Sequence, residues 1–220
     1  MRLLAIETST NVTTIAVAEG ERLLQRTFPE RRQLAQRIAE WTAQTLVDAG
    51  WRPDEVELVA VGRGPGSWTG LRIGLGFARA FAWANGFECR GVPSAEATVA
   101  ALLRVDELRA FYISPGRTGE VIVAEFARTD RLTKVAPEHP VPLDQFHEWL
   151  RTATSPTLVC GETLADSLPQ SEWLRIVHQA ATAEFSARWA LANPDRCHDL
   201  APIYATPSSA ELKFGVVVTS

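Results

Sequence analysis

At 220 residues and 24.1 kDa the chain is long enough for one large domain or two small ones, and its 46% hydrophobic and 22% charged content is ordinary for a folded globular protein. A net charge of -4 and a pI near 5.6 argue against a protein that alone grips nucleic acid over a wide face. Three scattered cysteines with no C-x-x-C, an apolar opening cut short by Glu7, and no run of membrane-span length point to a cytoplasmic protein that does not enter membranes.

Residues 2–7 (RLLAIE) are an apolar run of strand length. VTTIAVAE (12–19) is rich in β-branched residues, and ERLLQRTF (21–28) follows across a tight turn at Glu19-Gly20-Glu21. Helical spacing then takes over from 30 to 49, with Leu34, Ile38 and Trp41 on one face and Gly50 as the stop. A strand at 55–62, a glycine-rich loop, a helix over 70–85 and a strand at 88–92 come next, and Ser94 is the expected N-cap of a helix reaching Arg104. The order βββαβαβα is that of the ribonuclease H-like unit, from which actin-like ATPase folds are built twice over; order alone is silent on activity.

A soft boundary near 104–108 divides the chain into an N-terminal ribonuclease H-like subdomain, 1–106, and a smaller, diverged one, 107–220. In the second, 109–114 and 120–127 read as a hairpin, Pro137 to Pro142 as a proline-rich link, 143–151 as a helix, 157–161 as a buried strand and 182–192 as a helix. The expected class is therefore α/β, with the second subdomain abbreviated.

GRGPGSWTGLRIG (62–74) looks like a loop that cradles a phosphate. It fits neither the P-loop, which needs a Lys, nor the dinucleotide fingerprint, whose last Gly falls on Ser67. Pro65 and Gly66 suit a type II turn, and Ser67 or Thr69 can cap the helix that starts near Gly70. Gly70, Gly74 and Ala78 make a small-residue stripe that admits another backbone, while Arg72, Gly76, Arg79 and Trp83 lie on another face. Two readings stand at this point: an anion site at a helix N-terminus, or a tight strand-to-helix turn with no ligand.

Together AIETST (5–10), AVGRGPGSWTGLRIGLGFARAFA (60–82) and GVPSAEA (91–97) resemble the TsaB (YeaZ) family, whose hallmark G-P-G-S-F-T-G-[LV]-R-I-G is changed here only by Trp68 for Phe. The resemblance covers roughly residues 1–105. It implies an actin-like fold and a non-catalytic scaffold that supports the related transferase TsaD in making threonylcarbamoyladenosine at position 37 of tRNA. It further implies that the ATPase TsaE joins the assembly, that tRNA is met through the complex, and that ATP and Mg²⁺ are bound at the partner subunit or the subunit interface, not by this chain. The implied pairing surface lies on the first two helices, which here gives Leu34, Ile38, Trp41, Gly64, Pro65, Gly66, Ser67, Trp68, Thr69, Gly70, Leu71, Arg72, Gly74 and Arg79, and the same helices would serve a homodimer. The family's D-A-R-x-x-E-V-Y is altered to Ser114-Pro115-Gly116-Arg117-Thr118-Gly119-Glu120-Val121, and its P-x-Y-L-R to Pro202-Ile203-Tyr204-Ala205-Thr206.

Two alternatives belong to other classes. Glu7, Thr8 and Ser9, after the first strand, suit the degenerate nucleotide loop of an actin-like ATPase or phosphotransferase, with Glu7 as the acid. A diverged, self-associating paralogue is the other. Cys197-His198-Asp199 reads as a loop and not a triad, because neighbours in sequence cannot aim at one atom, and the histidines have no metal-ligand spacing.

Overall fold

A computed structural model describes residues 1–162, 168–197 and 199–206. The first sheet contains β1 (Arg2–Glu7), β2 (Thr13–Glu19), β3 (Arg22–Phe28), β4 (Leu58–Gly62) and β5 (Glu88–Val92) in the order β3-β2-β1-β4-β5. The β1-β2 and β2-β3 pairs are antiparallel, and β4 and β5 run parallel to β1. The second sheet repeats this plan with β6 (Arg109–Pro115), β7 (Glu120–Arg128), β8 (Leu132–Lys134), β10 (Thr157–Gly161) and β11 (Leu174–Val177) in the order β11-β10-β6-β7-β8. The strand β9 (His139–Pro142) adds to β7.

Strand alternation decides what each face of the first sheet carries. Leu4, Ile6, Ile15, Val17, Val59 and Val61 point one way, onto helices α1 (Leu34–Ala49) and α2 (Trp68–Asn85). Leu3, Ala5, Ala16, Ala18, Leu58 and Ala60 point the other way, onto Ala183, Ala187 and Ala190 of α5 (Ala183–Ala192). Alanines on both sides of that contact bring α5 close to the sheet. The helix α3 (Ser94–Leu102) lies beside α5 and sends Ala95 and Val99 against Tyr112, Phe126 and Leu158 of the second sheet. The far side of that sheet is covered by Phe146 and Leu150 of α4 (Leu143–Arg151). The two sheets are thus joined through α3 and α5.

Most expected elements stand within a few residues of their sequence positions. Ser94 is an exception: Pro93 occupies the N-cap, and Ser94 begins α3 with its hydroxyl turned to Glu7. The expected link at 137–142 contains β9, where Pro140 and Pro142 sit in an edge strand, one of the few places in a sheet where proline is tolerated. Leu34, Ile38 and Trp41 are 3%, 4% and 1% exposed. They are the core stripe of α1, so the pairing role given to them by the resemblance is corrected: a side chain consumed by the first sheet has no surface left to offer.

Candidate functional site

The loop between β4 and α2 is built around the chain's own β1-β2 connection. Ser67 caps α2, accepting the Gly70 N–H at 3.1 Å. Its own N–H donates to the Ser9 carbonyl at 2.7 Å, and the Thr8 hydroxyl donates to the Gly70 carbonyl at 2.8 Å. A Cβ at Gly66 would overlap the Ser9 carbonyl, one at Gly70 the Thr8 carbonyl, and one at Gly74 the Thr8 hydroxyl. The backbone admitted by the small-residue stripe is therefore Thr8-Ser9 of the same chain. Gly66 has φ 156°, away from the roughly +80° of the third residue of a type II turn, so the bend is not the expected one. Leu71 and Pro65 are buried beneath it.

Glu7 is fully buried on the α3/α5 side of the sheet. Its carboxylate accepts the Ser9 N–H at 2.9 Å, the Ser94 hydroxyl at 2.7 Å and, at 3.4 Å, the Ser186 hydroxyl of α5. Gly62 stands so close that a Cβ there would strike the carboxylate. Glu7 is a bolt between three elements. Of the proposed nucleotide trio, Glu7 and Thr8 are engaged internally, while the Ser9 hydroxyl is buried with no partner among the described residues.

The segment 199–206 straps this loop. Asp199 pairs with Arg63 at 2.5 Å, the Arg63 Nε donates to the Ala201 carbonyl at 2.7 Å, and the Ile203 N–H donates to the Arg63 carbonyl at 2.7 Å. Tyr204 stacks on Trp68 with ring centroids 3.5 Å apart, and the Arg72 guanidinium sits 5.1 Å from the Trp68 ring. Trp68 and Arg72 therefore face the strap as much as any partner. Cys197 is buried and its thiol contacts the Asn193 carbonyl; His198 lies outside the described residues.

Beside the strap a cleft of about 590 Å³ opens between the ends of the two sheets. Ser9, Asn11, Arg31, Ser67, Trp68 and Arg72 line its first-sheet side, and Ser114, Gly116, Arg117 and Glu162 the other. The Ser114 hydroxyl, like that of Ser9, is buried and has no partner among the described residues; an orphaned buried hydroxyl costs about 1–3 kcal/mol. Burial pushes the Glu162 carboxyl above its ordinary pKa, although it accepts the Asn11 N–H and lies near Arg31. None of these cleft residues beyond the first-sheet loop had been singled out by spacing. Their positions converge only once the second sheet is laid against the first.

The outward face of α1 and α2 is a different surface. On α1, Ala35, Ala39, Ala43 and Val47 are exposed at steps of four, with Val47 72% exposed. On α2, Gly76, Ala80 and Ala84 are exposed at the same step, flanked by Arg72, Arg79 and Trp83, the last 86% exposed. A Cβ at Gly76 would meet nothing within 4 Å. Small residues in this register let another backbone approach, and a bare indole beside them is unusual on a monomer's surface. The four-residue spacing Ala35-Ala39-Ala43 stands in the sequence, but alanine at that step is equally common on a solvated helix face, and only the fold shows which side it takes.

A family model described as TsaD, tRNA N6-adenosine threonylcarbamoyltransferase, matches residues 27–169 of the chain. The transferase of that name from Desulforapulum autotrophicum is 43% identical over 74 residues, 34% of this chain and 22% of the relative, so the match spans about a fifth of the relative's length. The Bacillus subtilis tRNA threonylcarbamoyladenosine biosynthesis protein TsaB is 28% identical over 166 residues, 73% of this chain and 71% of the relative. The structure of YeaZ from Pseudomonas aeruginosa superposes with a TM-score of 0.71 at 23% identity, over 92% of this chain and 99% of that one, which speaks for a shared fold. The chain belongs to the family whose model is described as TsaD, tRNA N6-adenosine threonylcarbamoyltransferase.

Proposed function

We propose that this chain is a non-catalytic partner subunit in the formation of N6-threonylcarbamoyladenosine in tRNA, working in the cytoplasm. It docks a TsaD-type transferase on the outward face of α1 and α2; TsaE joins that assembly, tRNA is met through it, and ATP with Mg²⁺ is handled by the partner. The observation that carries this reading is the pair of exposed small-residue stripes, Ala35-Ala39-Ala43 and Gly76-Ala80-Ala84, with Trp83 beside them. Two further observations support it. The Bacillus relative is named for biosynthesis of this nucleoside, and Glu7, the acid an actin-like ATPase would need, is closed in by Gly62 and Ser94.

The test is threonylcarbamoyl transfer to tRNA by the TsaD of the same organism, with and without this chain, and with Gly76→Arg. Transfer is expected to depend on the chain. Gly76→Arg should lower it at least about tenfold, equivalent to about 1.4 kcal/mol of pairing, at an unchanged melting temperature. Transfer indifferent to the chain would overturn the reading. If Gly76→Arg abolishes only a homodimer seen by sedimentation, the self-associating alternative gains.

A further inference from the structure

The strap 199–206 lies across one end of the surface that the pairing reading uses. At 3.6 residues per turn, Trp68, Arg72, Gly76, Arg79 and Trp83 fall within about 80° of one another around α2 and share one face of it. The C-terminal part of that face is bare, with Gly76 and Arg79 exposed and Trp83 86% exposed. The N-terminal part is covered. The Tyr204 ring lies flat on Trp68, at an interplanar angle of 1°, and its hydroxyl accepts a hydrogen bond from Arg72 Nε at 3.2 Å. Among the described residues that neutral hydroxyl is the one hydrogen-bond acceptor Arg72 has, and its guanidinium otherwise rests on the Trp68 and Tyr204 rings at 5.1 and 5.9 Å.

The strap is fastened unevenly. Its first half is anchored on Arg63, whose side chain is 14% exposed, through the Asp199 ion pair and the bond to the Ala201 carbonyl. From Ile203 onward it rests mainly on one backbone bond, from the Ile203 N–H to the Arg63 carbonyl, and on the contacts of Tyr204. A chain end held by so few contacts opens at low cost while the rest of the fold stays intact.

We propose that the strap is a built-in competitor for the pairing face: Tyr204 takes the place of a partner side chain on Trp68 and Arg72, and a partner engages the whole face by lifting residues 203–206. This rests on the pairing reading, which supplies the face. The chemistry also says what replaces Tyr204. A partner carboxylate gives Arg72 a two-pronged ion pair, which a single phenol oxygen cannot match. An apolar or aromatic side chain beside that carboxylate keeps the Trp68 indole covered. In the free chain the strap keeps the indole from water, and in the complex the partner does.

The experiment measures pairing of the full chain by titration calorimetry with the TsaD of the same organism, and self-association by sedimentation, for wild type, Tyr204→Ala, Tyr204→Phe and Asp199→Asn. Tyr204→Ala is expected to tighten pairing about twofold to tenfold, the worth of a stacked aromatic pair. Tyr204→Phe keeps the stack and should stay within about twofold of wild type. Asp199→Asn lies at the anchor and not on α2, so it should tighten pairing by up to about fivefold, the worth of a partly exposed ion pair. A residue that merely touched the partner would not do this. Hydrogen exchange at the Ile203 amide should quicken in the complex, as its bond to the Arg63 carbonyl opens. If no form binds TsaD but Tyr204→Ala self-associates more tightly than wild type, the strap stands and the choice of partner falls. Pairing that Tyr204→Ala weakens, leaves unchanged or leaves absent in both assays would overturn the strap, as would an Ile203 amide equally protected in the complex.

Discussion

Gly70→Ala is expected to destabilise the protein by about 3 kcal/mol, because a single methyl there meets backbone and not a movable side chain. The Thr8 carbonyl cannot retreat without dragging the β1-β2 connection, whose Ser9 carbonyl is bonded to the Ser67 N–H. For a chain of this size the loss corresponds to a fall in melting temperature of roughly 6–12 °C. Gly76→Ala is the internal comparison, six residues along the same helix and facing solvent. It should be neutral or stabilising by about 0.5–1 kcal/mol, through helix propensity alone. Scanning calorimetry of the two variants side by side checks the claim. Equal melting temperatures would mean that the glycine stripe is not an internal joint. The same geometry makes Gly74→Arg unsuitable as a pairing variant, since its side chain would enter the space of Thr8.

The second large effect concerns Glu107 and Arg175, which tie the entry of the second sheet to its far edge. Glu107 is 3% exposed and accepts both arms of Arg175, at 2.5 and 2.8 Å, together with the Arg104 N–H at 2.7 Å. Arg175 also donates to the Leu102 carbonyl at 2.7 Å, at the end of α3. Burial alone would raise the Glu107 pKa, but the Arg175 and Arg104 hydrogen bonds outweigh it and hold the carboxyl below its ordinary 4.5. Removing Arg175 strands a buried carboxylate, so Arg175→Ala is expected to cost about 3–5 kcal/mol at pH 7. A carboxyl with a depressed folded pKa stabilises the fold above its unfolded value and loses that contribution as pH falls through the folded value. The gap between wild type and Arg175→Ala should therefore narrow as pH falls below about 4.5. Urea unfolding of both proteins at pH 7 and pH 3.5 reads this directly, and a gap independent of pH would refute the assignment.

The first sheet was readable because its signals are local: the apolar run of β1, the β-branched residues of β2, Gly20 at the hairpin, Gly50 and Gly86 at helix ends. The second sheet was half legible. The three-residue β8 is too short to show alternation, β9 hides behind two prolines, and β11 is only partly buried along its length, so none carries a periodic pattern. The loop at 62–74 is conspicuous in the sequence, but its meaning is not. Glycine reports that something comes close without naming it, and only the folded chain shows that Thr8, Ser9 and Glu7 are what comes close. The cleft was the least legible feature, since Arg31, Ser114, Arg117 and Glu162 share no spacing and belong to different elements.

One consequence of the layering concerns synthesis. The α5-facing side of the first sheet, with Leu3, Ala5, Ala16 and Leu58, has no cover until residues 183–192 have been made. Glu7 likewise waits for Ser186 to reach it. During translation, then, the first sheet keeps one apolar side bare until residues 183–192 emerge, the condition under which nascent chains depend most on chaperones. A ribosome stalled after the second sheet would hold a chain ready to stick, and emergence of α5 is the event that makes the first sheet safe.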